Sequence, residues 1–137
     1  MAAGVLALGV AALWLAARGR VFRVEVRGDS MAPTLLHGDV AVAVAVGEPT
    51  VGDVVVVGHP VRPEAELVKR VTAGPGDLAS DARELGSGEY WVEGDQPARS
   101  TDSRHFGPVE LDDVRARVVA VVWPPSRLRW VRRGVRS

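Results

Sequence analysis

The chain has no cysteine, so disulfide frameworks, thiolate metal sites, iron–sulfur clusters and thiol catalysis are excluded, and nothing marks the redox compartment. Histidine is nearly as scarce: His37, His59 and His105 are scattered, with no metal-ligand spacing between them, and each reads as a surface or turn residue. None of the HExxH, GxSxG, P-loop or GxGxxG patterns occurs. Lysine is the sharpest shortage, since the 17 basic residues are 16 arginines and one lysine, Lys69.

What is present bounds the class. At 137 residues, 47% hydrophobic and 25% charged, the chain is one domain's worth and too apolar for a disordered tail. Its net charge of zero conceals a layout: residues 1–23 carry 3 basic and no acidic residues, 24–114 carry 7 and 17, and 115–137 carry 7 and none. Basic ends suit nucleic acid or anionic lipid, and the neighbouring sequence points to lipid. Met1 to Ala17 holds no charged side chain, and as a helix it spans roughly 25 Å, close to the ~30 Å hydrocarbon core. Residues 1–21 therefore read as a transmembrane anchor with Arg18 and Arg20 snorkelling; a cleaved signal peptide and a buried helix are the alternatives. At the other end, 124–137 reads as a basic tail in which Trp123 and Trp130 among arginines form an interfacial patch, or simply a solvated one.

Between them, residues 22–123 read as a small all-β domain of antiparallel strands, a barrel or sandwich. Val40 to Val46 alternates valine and alanine, placing valines on one face and alanines on the other. Val54–Val57 and Val118–Val122 are short β-branched runs, and further strands are expected at Phe22–Arg27, Leu67–Thr72 and Tyr90–Glu93, separated by glycine-rich turns. Helix is expected only in the anchor and in single turns near Pro33–Leu36 and Glu110–Val114.

Serine hydroxyls are the available nucleophiles, and no His–Asp arrangement stands ready to activate one. A neutral lysine amine is the other base able to do so, and only Lys69 can supply it. A free lysine, with a pKa of ~10.4, is protonated at neutral pH, so the role requires burial. In Glu66-Leu-Val-Lys-Arg-Val71, strand alternation puts Lys69 on the apolar face with Leu67 and Val71, leaving Arg70 to reach solvent. Arginine cannot replace it, because guanidinium stays protonated.

Four blocks in order, Gly28-Asp-Ser-Met-Ala-Pro-Thr-Leu35, Gly38-Asp-Val-Ala-Val42, Lys69-Arg-Val-Thr-Ala-Gly-Pro-Gly-Asp77 and the run from Gly94-Asp-Gln-Pro-Ala-Arg-Ser-Thr-Asp-Ser-Arg104 to Val109, resemble the signature boxes of type I signal peptidases of the Ser–Lys S26 type. The resemblance implies a membrane-anchored endopeptidase that removes signal or targeting peptides from precursor proteins after small residues, with no cofactor, no metal and no nucleic acid. By the same resemblance Ser30 is the nucleophile and Lys69 the general base. Ser100 orients the amine, and Asp102 and Arg104 form a supporting ion pair. Val26, Met31, Leu35 and Val68 would wall a pocket suited to Ala-x-Ala sites. Gly28 stands where some members add a hydroxyl to the oxyanion hole, so the Ser30 N–H would carry that duty.

Only 16 residues separate Asp77 from Gly94, so the chain resembles compact forms, the mitochondrial inner membrane peptidases and short bacterial relatives. Composition points to a bacterial plasma membrane, with the catalytic domain outside the cytoplasm, rather than to a mitochondrion. Arg18, Arg20 and Arg23 run against that orientation by the positive-inside tendency. A protease dedicated to few precursors, such as that of nickel superoxide dismutase, and a non-catalytic membrane-tethered β module are the rival readings. The self-cleaving SOS repressors, another Ser–Lys β-fold, carry a DNA-binding domain and no anchor.

Overall fold

The computed structural model describes residues 21–134. The expected anchor thus lies outside the described residues apart from Val21, which opens the first strand. Among the described residues no helix is long and apolar enough to cross a membrane. The strands are β1 (Val21–Glu25), β2 (Val40–Val44), β3 (Val54–Gly58), β4 (Glu66–Ala73), β5 (Glu89–Glu93), β6 (Val109–Glu110), β7 (Val114–Trp123) and β8 (Arg129–Trp130). A single-turn helix, α1 (Ser103–Phe106), and short 3-10 turns at Pro97–Arg99, Leu111–Asp113 and Pro125–Arg127 complete the described elements.

Every pairing is antiparallel, in the order β1-β2-β7-β3-β4-β5-β6, with β8 beside β7. Of the expected all-β barrel or sandwich, the structure shows one antiparallel sheet curled into a half-barrel, running from β1 at one end to β6 at the other. β7 is its spine: one edge pairs with β2, while the other takes β3 along its first half and β8 along its second.

The valine run of β3 lacks alternation because both its faces are covered. Val54 and Val56 join a cluster with Val26, Met31, Leu35 and Val121, whereas Val55 and Val57 join another with Val71, Tyr90 and Val92. In β2 the alternation holds with the small residues inward: Ala41 and Ala43 are fully buried, and Val42 and Val44 only half so. β7 starts at Val114, ahead of the expected Val118, because Arg115 and Arg117 turn outward while Ala116 stays in the core. Pro33–Leu36 forms a turn closed by Leu35 N–H on the Met31 carbonyl at 2.9 Å, not a helix. The expected helical turn at Glu110–Val114 is the 3-10 turn Leu111–Asp113.

Two turns share one construction. Gly38 and Gly52 adopt φ of +91° and +99°, a region that L side chains avoid, and each precedes an aspartate that opens a strand. Asp39 and Asp53 accept the N–H groups of Leu36 and Thr50 at 2.9 Å, closing the turns. Their free oxygens meet the C-terminal segment, where Arg127 contacts Asp39 at 2.8 Å and Arg133 contacts Asp53 at 2.6 Å. The stretch expected as a tail is therefore docked on the sheet as far as Gly134, whose N–H bonds the Gly52 carbonyl at 3.0 Å.

Candidate active site

Three segments built by this sheet converge. Ser30 is half-buried in the turn that leaves β1. Lys69 lies within β4, paired across the strands with Val55, and is 3% exposed. Ser100, Asp102 and Arg104 occupy the loop after β5 and the start of α1.

Gly94, just past β5, joins two of these segments. A Cβ there would lie 2.5 Å from the Ser30 carbonyl oxygen and 2.6 Å from Ser100 Cβ, and would collide with Ser100 Oγ. Only a residue without a side chain lets the Ser30 turn and Ser100 come together. The Ser30 carbonyl is also fixed by the Gln96 N–H at 2.9 Å.

Asp102 organises the other side. Fully buried, its carboxylate accepts Ser100 Oγ at 2.5 Å, Gly94 N–H at 2.9 Å, Arg104 N–H at 3.2 Å, and Arg104 Nε and Nη2 at 2.9 and 2.6 Å. Burial by itself would raise its pKa, but Arg104, Ser100 and these N–H groups overcome that and hold it well below the usual carboxylate range. The pair caps α1 as well, since Asp102 is its N-cap and His105 Nδ1 accepts the Asp102 N–H.

Lys69 is pushed the opposite way. Loss of solvent lowers its pKa, the Asp102 charge partly offsets that, and Arg104 lowers it further. A buried amine whose proton is loosely held thus stands within the field of the Asp102–Arg104 pair, which bonds Ser100, which in turn packs against the backbone link to Ser30.

The remaining expected residues divide. Val26, Met31 and Leu35 are 5%, 2% and 0% exposed and share one core cluster, with Val68 half-buried against it. They lie together, but chiefly as core. Gly28 is exposed, with φ of +79°, and donates its N–H to His37 Nδ1 at 2.9 Å. His59 Nδ1 accepts main-chain N–H groups of Val61 and Arg62, so all three histidines act as turn or cap acceptors.

Arg70 does not reach solvent as strand alternation suggested. Its guanidinium grips Asp95 through Nε and Nη2, both at 2.8 Å, and Nη1 bonds the Gly52 carbonyl at 2.7 Å. Thr34 donates to the same carboxylate at 2.5 Å. Thr34, in the turn that carries Ser30, is thereby tied to the strand position next to Lys69. This network and Gly94 went unrecognised in the sequence, although Gly94-Asp95 opens the fourth motif block. Along β4, finally, β5 pairs only from Arg70 to Ala73, so one edge of Glu66–Lys69 carries no strand among the described residues.

The family described as signal peptidase, peptidase S26, matches residues 1–80 and 78–123. Among characterised proteins, the chain is 38% identical over 118 residues to the mitochondrial ATP-independent inner membrane protease subunit 1a of Arabidopsis thaliana, covering 74% of this chain and 70% of that one. It is 37% identical over 139 residues to mitochondrial inner membrane protease subunit 2 of Mus musculus, covering 88% and 77%, and 34% identical over 123 residues to subunit 1 of Schizosaccharomyces pombe, covering 76% and 75%. The chain belongs to the signal peptidase S26 family and is a hydrolase of the kind that removes signal or targeting peptides.

Proposed function

We propose that Ser30 and Lys69 form the catalytic dyad of this peptidase, with Ser100, Asp102 and Arg104 positioning the lysine amine. The observation that carries the reading is the burial of Lys69, with its lowered pKa, in the field of Asp102, whose partner Ser100 packs across Gly94 from the Ser30 carbonyl. In this scheme the neutral Lys69 amine takes the Ser30 hydroxyl proton as Oγ bonds the scissile carbonyl carbon, then returns it to the departing amine as the peptide bond breaks. Water attacks the resulting ester, giving its proton to Lys69, and Ser30 Oγ leaves with a proton from the ammonium. The Ser30 N–H, which makes no hydrogen bond among the described residues, is available for the oxyanion.

An extended precursor would add to the open edge of Glu66–Lys69, gaining main-chain hydrogen bonds, with specificity set where Val26, Met31, Leu35 and Val68 limit the room beside Lys69. Small residues before the cut, as in Ala-x-Ala, fit that constraint. Ser30→Ala, Lys69→Ala and Lys69→Arg should each abolish cleavage of such a precursor in detergent while the fold is retained; turnover surviving in any of them removes that residue from the dyad.

The relatives are inner membrane proteases by name, which supports membrane association here. A bacterial plasma membrane with an extracytoplasmic catalytic domain rests on composition and on the family resemblance alone, since the relatives named above are mitochondrial. A single Ser87→Cys, exposed and distant from the motifs, should react with an impermeant reagent on intact cells; protection places the domain inside. Whether the enzyme serves many precursors or one is read from how many accumulate uncleaved on its depletion.

A further inference from the structure

On the side of the sheet where the C-terminal segment docks, a cleft of about 660 Å³ is bounded by Thr34, Arg70, Arg129, Trp130, Arg132 and Arg133. Among the described residues, four that bear guanidinium groups line it and no acidic one does. Two of the four are neutralised from behind, Arg70 by Asp95 and Arg133 by Asp53. Arg129 is not: its Nη2 donates to the Thr34 and Pro33 carbonyls, and among the described residues Nε and Nη1 are unused and no carboxylate contacts it. The nearby Asp39 feels its charge but is bonded by Arg127. Arg132 is exposed, and its side chain makes no hydrogen bond or ion pair among the described residues. The cleft thus holds two guanidinium groups with no bonded carboxylate among the described residues and with free planar donors, beside the half-exposed Trp130, whose indole N–H is likewise unused.

Arginine forks match the oxygen geometry of phosphate, and an anion between two unpaired guanidinia relieves their mutual repulsion. A tryptophan at the rim suits a headgroup at the membrane interface. We propose that this cleft is a phosphate-binding site, taking the phosphate group of an anionic lipid headgroup or of a free phosphate ester. The site is separate from Ser30 and Lys69 and does not depend on their roles, although Arg70 and Thr34 connect its floor to both segments.

The test is thermal unfolding of the full chain in neutral detergent, in two arms. One compares sodium phosphate with sodium chloride at matched ionic strength; the other compares short-chain phosphatidylglycerol with short-chain phosphatidylcholine. The expected result is a rise in Tm of about 4 °C, in at least one arm, at a ligand concentration about tenfold above Kd. Response to phosphatidylglycerol alone identifies a headgroup site, response to phosphate alone a site for a soluble ester, and response to both a site for either. Arg132→Gln, whose side chain makes no hydrogen bond or ion pair to lose among the described residues, should raise Kd about tenfold and so cut the Tm rise to about a third, and the double variant with Arg129→Gln should lose it. No shift in either arm, or an undiminished shift in the double variant, overturns the proposal. So does stabilisation by a polyglutamate peptide with none by phosphate or phosphatidylglycerol, which would make the cleft an acidic-peptide site.

Discussion

Lys69 is kept where its charged form is poorly solvated, and that has a thermodynamic sign. Its folded pKa lies below its unfolded value near ~10.4, so between the two the unfolded chain binds more protons and stability rises with pH. Below the folded pKa the destabilisation is fully present. Lys69→Met should therefore be inactive yet melt higher than the wild type at neutral pH, and the gap should shrink as pH approaches that of free lysine. A lower Tm at neutral pH would show that Lys69 is well accommodated as a cation. The pH–rate profile carries the same sign, with kcat/KM rising through a pKa below the free value. That Lys69 is the sole lysine was legible in the composition, and its burial in the strand alternation. The field that tunes it was not, because Asp102 and Arg104 reach it through tertiary contact. Gly94 was equally hidden: as one glycine among 15, it gives no local sign that a Cβ there would force Ser30 and Ser100 apart. Gly94→Ala should cost about 1–3 kcal/mol and reduce kcat far more than binding, read by denaturation and by steady-state kinetics on one precursor. Unchanged kcat would mean that turnover does not need the close approach of the Ser30 turn and Ser100 across Gly94.

Among elements, the nucleophile turn and β4 are separate pieces of chain, and what couples them is the Thr34–Asp95–Arg70 network. Both charged partners are mostly buried, so removing one leaves the other without compensation. Asp95→Asn should destabilise by about 3 kcal/mol and lower kcat/KM with no change in the pH at which activity rises, since Lys69 titrates against other groups. A shifted pH profile would instead make Asp95 a contributor to the field on Lys69. Sequence alternation sent Arg70 to solvent, and the error has a physical origin: a two-residue period gives the face of a strand, not what covers that face. The same limit operates in β2, where the valine–alanine alternation was plain but its direction was not. Alanines turn inward because Val54, Val56, Val118 and Val121 already fill that side. β3 was legible as a strand from β-branching alone, and its two-sided burial follows from the half-barrel that β7 organises.

For the whole molecule, the basic C-terminus and the acidic middle neutralise each other in part through internal pairing. Arg127 and Arg133 reach back to Asp39 and Asp53, the aspartates that close the turns into β2 and β3. The linear charge count exposed the imbalance but could not reveal the pairing, because the partners lie 88 and 80 residues apart. Asp39 is the stronger test, being 2% exposed with a partner that is itself 27% exposed. Burial would raise its pKa, but Arg127, the Leu36 N–H and the charge of Arg129 bring it below the ordinary carboxylate value. In the wild type this contributes stability above the unfolded aspartate pKa that is lost as pH falls through the folded one. In Arg127→Met the carboxylate stays desolvated without its ion-pair partner, its folded pKa moves up, and acid now relieves a strain instead of creating one. The variant should lose about 3 kcal/mol at neutral pH, a fall in Tm of roughly 10 °C or more, with the deficit narrowing toward acid. A deficit independent of pH would assign the loss to packing of the Arg127 stem over the turn. No deficit at all would mean that the docked segment contributes nothing to holding the Asp39 turn, and so nothing to the nucleophile turn that ends on it.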